Sequence, residues 1–115
     1  MRLALIVSLL VLGMFALAVR AAMDEPIPEF SDELLQDAEM IALGEQIWQE
    51  QCRACHGRAA YPGKAPKLKP SRYTPEFVYH RVTWGFRGMP GWKDIYDERE
   101  RMAVTIYVLS DRFSP

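Results

Sequence analysis

Cys52-Arg53-Ala54-Cys55-His56 is the stretch that decides the fold. Two cysteines three positions apart, with a histidine directly after the second, form the attachment pattern for a c-type haem. At a helix turn, each thiol can add to a different vinyl group on one porphyrin edge. The histidine then lies under the ring and presents a nitrogen to the iron. Covalent attachment retains the cofactor where a loosely held haem would be lost. Two other chemistries use the same residue types. A structural zinc site made of Cys52, Cys55, His56 and His80 has the right ligand count, but the adjacent Cys55-His56 pair and the long gap to His80 suit it poorly. A thioredoxin-like dithiol expects a βαβ context, which this pattern lacks. A Cys52–Cys55 disulfide would close too short a loop to gain much.

Upstream of this site the chain begins as an exported protein does. Met1 and Arg2 give a short positive start, and Leu3 to Val19 is an apolar run of 17 residues broken only by Ser8 and Gly13. Small residues at Ala16, Ala18, Ala21 and Ala22 offer cleavage sites after Ala18, Ala21 or Ala22. The run is long for a signal-peptide core and short for a membrane span, so residues 1–22 read as a signal peptide or as an N-terminal membrane anchor. Either way the domain is expected in the periplasm, soluble or held to the inner membrane through residues 3–19. Residues 23–33, with Pro26 and Pro28, read as an extended acidic linker, and residues 34–115 as the haem-binding domain. A chain of about 90 residues is marginal on its hydrophobic core alone, and a bound apolar cofactor adds to that core.

Periodicity and capping signals give an all-α domain of about three main helices. Ser31 or Asp32 is expected to cap a first helix reaching about Gln51, with Leu35, Ile41, Gly44, Ile47, Trp48 and Cys52 on one face. Gly44 costs that helix about 1 kcal/mol against alanine and predicts close contact with another helix. Arg58 to Arg72 is a loop rich in Pro and Gly. Thr74 and Pro75 start a short helix ending at Gly85, with Phe77, Arg81 and Trp84 on one side. Gly85 to Lys93 is a second loop, and Asp97 with Glu100 forms a capping box opening a last helix to about Ser110. Met102, Val104, Tyr107 and Val108 supply much of its apolar surface. Trp48, Tyr107, Phe77 and Trp84 are expected to pack rather than to conduct electrons, and Tyr79, Tyr96 and Phe113 carry no separate signal.

With these residues assembled, the chain resembles the small monohaem class I cytochromes c over about Ile41 to Leu109. Gly44 and Trp48 match the family's small-plus-aromatic face on the first helix, which crosses the last helix near Tyr107. Cys52 to His56 match the haem-binding segment. Pro66 and Leu68 match a Pro-x-Leu loop whose proline carbonyl accepts a hydrogen bond from the proximal histidine. Met89-Pro90, followed by Trp92, matches the loop that delivers the distal ligand. The resemblance implies one covalent haem c, with His56 and Met89 as axial ligands. On the residues alone, Met23, Met40, Met102 and His80 are the other candidate donors. Trp92, Tyr73, Arg72 and Lys93 are candidate propionate contacts, with packing or solvent exposure as the plain alternative.

Two filled axial positions leave no open site for substrate, so the expected role is single-electron transfer rather than catalysis. Expected partners are redox proteins: a periplasmic dehydrogenase or respiratory complex as donor, and a terminal oxidase as acceptor. No nucleic-acid partner is expected. The alternatives are a dedicated haem c subunit of a larger oxidoreductase and, if Met89 does not bind, an open-site haem with ligand-binding or peroxidase-like activity. A net charge of −1 hides a marked asymmetry. Asp24 to Glu50 holds nine acids and no base, whereas Gln51 to Lys93 holds nine Lys or Arg against Glu76 alone. The basic stretch includes Lys64, Lys67, Lys69, Arg72, Arg87 and Lys93. In the resembled fold those loops frame the haem edge, giving a surface that steers toward an acidic partner.

Overall fold

The loop-and-helix order read from the sequence is present in a computed structural model that describes residues 25–58 and 63–113, together with Met14. Apart from Met14, the leader segment and its cleavage sites lie outside the described residues. Among the described residues the secondary structure is helical, with one isolated bridge and no strand. None of those helices is long and apolar enough to cross a membrane.

The chain enters as an extended segment and makes a 3₁₀ turn, Leu34–Gln36, in which the Leu34 amide donates to the Ser31 hydroxyl at 3.2 Å. The long first helix starts later than expected. Asp37, in an extended conformation, accepts from the Met40 amide at 2.8 Å and caps α1, Ala38–Ile47. Ser31 thus caps only the short turn. Asp37 carries the helix because its carboxylate reaches the third helical amide, where the helix dipole favours negative charge. The helical path does not stop at Gln51. It widens into a π-turn over Trp48–Cys52 and continues as α2, Arg53–His56.

After a loop and a 3₁₀ turn at Pro70–Arg72, Thr74 caps α3, Pro75–Trp84, through its hydroxyl. Gly85, at φ 73°, ends α3 in a backbone conformation that a side chain resists. Asp97 and Glu100 form the expected reciprocal capping box of α4, Glu98–Leu109.

α4 packs against both α1 and α3. Its inner surface is richer than the sequence suggested. Ala103, Val104, Ile106, Tyr107 and Val108 are all buried, with Arg101 and Thr105 beside them, whereas Met102 is only half-buried. Phe113, just past α4, is 1 % exposed and meets Trp48 edge-on at 4.6 Å between ring centroids. Tyr79 is likewise buried and meets Phe30 edge-on. By contrast, Phe77 and Trp84 are 43 % and 41 % exposed and pack outside the core, Phe77 against Tyr73 and Arg81 and Trp84 under Lys93.

Gly44 sets the α1–α4 approach. A Cβ there would lie 2.6 Å from the Ala103 carbonyl carbon and 2.7 Å from Tyr107 Cβ. Neither neighbour is the free end of a flexible chain, so the helices must separate to admit a methyl group. Gly44→Ala is therefore expected to destabilise the domain by about 1–3 kcal/mol, the range for overpacking a filled core. Chemical denaturation checks this as a lower midpoint at unchanged slope.

Candidate haem-binding site

The attachment segment sits on the last turn of the helical path, where the π-turn gives way to α2. His56 is the last residue of α2, and Gly57, at φ 79°, turns the chain away while its amide donates to the Arg53 carbonyl at 2.9 Å. Trp48 secures the turn after His56. Its indole Nε1 donates to the carbonyls of Gly57 and Arg58, at 3.2 and 3.0 Å. Its ring lies 5.5 Å from the His56 ring. The next loop folds back over α2, with the Ala65 amide donating to the Cys55 carbonyl at 2.8 Å. That return needs Gly63, since a Cβ there would meet the His56 carbonyl carbon at 2.6 Å. The sequence showed Gly63 only as one of several loop residues.

The loop after α3 is more ordered than its composition suggested. Phe86 and Met89 face each other in a tight turn, each amide donating to the other's carbonyl, at 2.9 and 3.0 Å. Arg87 occupies the turn at φ 53°, left-handed backbone normally taken by Gly or Asn. The Trp92 and Lys93 amides then bond back to the Val82 and Thr83 carbonyls of α3, at 2.9 and 3.2 Å. Both ends of the Met89 loop are thereby tied to one helix.

Cys52, His56 and Met89 line one cleft of about 180 Å³ whose floor includes Leu68, Val78, Val82, Val104 and Val108. Cys55 is exposed and lies outside the cleft lining. Burial pushes the Cys52 thiol up to about 12, with a smaller push from Cys55, so Cys52 is a neutral thiol at ordinary pH. Burial also lowers the pKa of His56 and favours its neutral imidazole, the form that binds metals. The Nδ1 of His56 is buried with no hydrogen-bond partner. Pro66 is exposed, and its carbonyl makes no hydrogen bond to that nitrogen here. An apolar cleft, a neutral thiol at its wall and a buried ring nitrogen without a partner fit an apolar macrocycle carrying a metal.

The other candidate donors are placed elsewhere. Met40 is buried against Ala103 and Ile106, and Met102 packs on that same cluster. His80 is exposed on α3, and Met23 lies outside the described residues. Among the proposed propionate contacts, Trp92 stacks near Tyr96 and the Tyr73 hydroxyl accepts from the Lys69 amide at 2.9 Å. Arg72 is exposed, and Lys93 pairs with Glu25 at 3.7 Å. Near the cleft mouth, Arg81 stacks over the exposed rings of Phe77 and Phe86, at 4.9 and 3.9 Å to their centroids. Phe77 and Arg81 also line the cleft itself.

A small helical domain with its Cys-x-x-Cys-His helix end opening on such a cleft belongs to the class of c-type cytochromes, electron carriers built around covalent haem c. Residues 39–108 match the family described as cytochrome c oxidase, cbb3-type, subunit III, and the chain belongs to that family. It is also similar to cytochrome c6 of Cladophora glomerata, at 30 % identity over 81 residues, covering 63 % of this chain and 89 % of that relative. It carries one haem c.

The left-handed Arg87 gives the Met89 turn a definite substitution pattern. Arg87→Gly keeps the wild-type denaturation midpoint or raises it, because glycine takes this backbone without a Cβ clash. Arg87→Val lowers stability by about 1–2 kcal/mol, since a β-branched residue is least tolerated at positive φ.

Proposed function

We propose that Cys52 and Cys55 hold the haem through two thioethers, that His56 and Met89 are its axial ligands, and that the protein passes single electrons between redox partners in the periplasm. The observation that carries this reading is the convergence of Cys52, His56 and Met89 on one apolar cleft, with Met40, Met102 and His80 outside it. Each cysteine sulfur would hold the haem through one of its two vinyl carbons. Bound there, haem supplies a one-electron couple. The chain's own contribution is to orient His56 through Trp48 and Gly57, to exclude water with Val78, Val82, Val104 and Val108, and to hold Met89 on a pinned turn. A methionine–histidine pair raises the reduction potential relative to two histidines. It also leaves no open position, which separates a carrier from a peroxidase-like haem.

Charge and exposure at the cleft mouth support the partner contact. Lys64, Lys67, Lys69, Arg72 and Arg87 are exposed. Phe86, exposed and outside the cleft lining, supplies an aromatic centre of the kind enriched in protein contacts. The fitting partner is acidic, with a small apolar centre, and binds weakly and with salt sensitivity. A second reading, a dedicated haem subunit of a larger complex, is favoured by the family's description as an oxidase subunit. Residues 1–22, as cleaved signal or retained anchor, place the domain on the outer side of the inner membrane in both readings. Gel filtration of native material separates them: a monomer supports the free carrier, and co-elution with oxidase chains supports the subunit.

Met89→Ala is expected to abolish the methionine–iron absorption band of the ferric protein and to lower its potential. The intact mass still includes one haem, because the thioethers do not depend on Met89. Persistence of the band overturns the assignment.

A further inference from the structure

We propose that Glu25 is a positioning residue: from the N-terminal arm it holds Arg101 and Lys93 together and thereby fixes the outgoing end of the loop that carries Met89. The inference rests on the proposed ligation by Met89 for its functional meaning, though not for its structural content.

Arg101 lies in the first turns of α4 and is only 4 % exposed. A buried guanidinium needs a counter-charge and hydrogen-bond acceptors, or it destabilises the fold. The Glu25 carboxylate meets it with both oxygens, Nη2 to Oε1 at 2.6 Å and Nη1 to Oε2 at 3.3 Å, the fork geometry of a strong arginine–carboxylate pair. Thr83 Oγ1 and the Asp97 carbonyl accept two further arginine donors, both at 3.2 Å. The same carboxylate accepts from the Tyr79 hydroxyl at 3.3 Å and lies 3.7 Å from Lys93 Nζ. Phe30, against Tyr79, steadies the arm that brings Glu25 in.

One side chain therefore gathers α3 through Tyr79, α4 through Arg101, and the end of the Met89 loop through Lys93. The Lys93 amide is itself bonded to the Thr83 carbonyl, and Thr83 also receives Arg101, so the pairings form a closed set. Lys93 lies four positions after Met89. Without Glu25, Arg101 keeps its burial and loses its counter-charge, while Lys93 loses its ionic partner.

The groups facing the carboxylate are Arg101, Lys93 and Tyr79, with Glu98 acting on Tyr79 from α4. The Arg101 hydrogen bond is foremost in holding the Glu25 carboxyl below its usual value. A depressed native pKa contributes stability above the unfolded value and loses it as pH falls through the native one. The latch thus holds at neutral pH and opens in acid, and Glu25→Gln flattens that acid dependence.

The test uses the full haem-loaded chain. Imidazole binding to the ferric protein requires Met89 to leave the iron, so its affinity reads the opening of the loop, and amide exchange at Met89–Lys93 reads the same opening without reference to the iron. Glu25→Gln is expected to bind imidazole about tenfold more tightly and to exchange those amides about tenfold faster. Lys93→Met produces both effects with a smaller fall in denaturation midpoint, which keeps the test available if Glu25→Gln folds poorly. Asp37→Ala, which removes the α1 cap far from the cleft, lowers the midpoint and leaves imidazole affinity at the wild-type value, separating positioning from general destabilisation. Wild-type imidazole affinity and loop exchange in both Glu25→Gln and Lys93→Met overturn the proposal. Absence of the methionine–iron band from the wild-type protein overturns the ligand reading alone, and loop exchange still decides the latch.

Discussion

The α1 backbone lies directly against Ala103 and Tyr107 of α4, and it does so because Gly44 has no side chain. That contact fixes where the next turn of helix falls. Ile47 and Trp48, on the same face, are carried into the core, where Trp48 meets both Tyr107 and Phe113. Trp48 then uses its one polar atom on the carbonyls of Gly57 and Arg58, just past His56. The α1–α4 approach is therefore transmitted, through one indole, to the histidine at the cleft. A buried tryptophan whose N–H lacks a partner is costly, so the same bond both satisfies the core and sets the site.

The cleft itself is a part of the core that the chain does not fill. Val78 and Val82 of α3 and Val104 and Val108 of α4 belong to the main apolar cluster and also face the cleft. A domain this small gains from any additional apolar surface it can bury. Haem c, the family's covalent cofactor, is in this sense a core component as well as a redox group. The burial that fills the core also governs the chemistry of the residues around it. Before haem is attached, it favours the neutral imidazole of His56 and an uncharged Cys52 thiol.

Local signals were legible in the sequence, and contacts between distant segments were not. Thr74-Pro75, Gly85 and Asp97 with Glu100 marked the bounds of α3 and α4 because caps act over three or four residues. Gly44 announced a close approach because a helix-interior glycine is otherwise a loss. The C-terminal reach of the first helix was missed, since nothing in Trp48–Cys52 distinguishes a π-turn from a helix end. The Phe86–Met89 turn was missed because Arg87 is not a residue that ordinarily marks left-handed backbone. Glu25 reads as one acid among nine between Asp24 and Glu50, yet its partner Arg101 is 76 positions away and gives no spacing to detect. Phe113 lies past the expected helix end, where amphipathic periodicity no longer applies.

The structure also changes what the charge asymmetry means. Read along the chain, the acidic and basic stretches look like two independent surfaces. In the fold they meet at Glu25 and Lys93, and Arg112 beyond α4 pairs with Glu45 on α1. Lys93 is consequently not a free cation, and it also lies over the Trp84 ring. Of the remaining exposed cations, Arg53, Arg58 and Arg99 aside, Lys64, Lys67, Lys69 and Arg72 lie on one loop and Arg87 on the Met89 turn. These flank the site, whereas the paired charges fasten the arm and the helices. Burial and pairing thus divide a nearly neutral protein into charges that hold the fold and charges free to meet a partner. Only the second group stays coupled to ionic strength over distances approaching the screening length, because the pairs largely cancel each other's field.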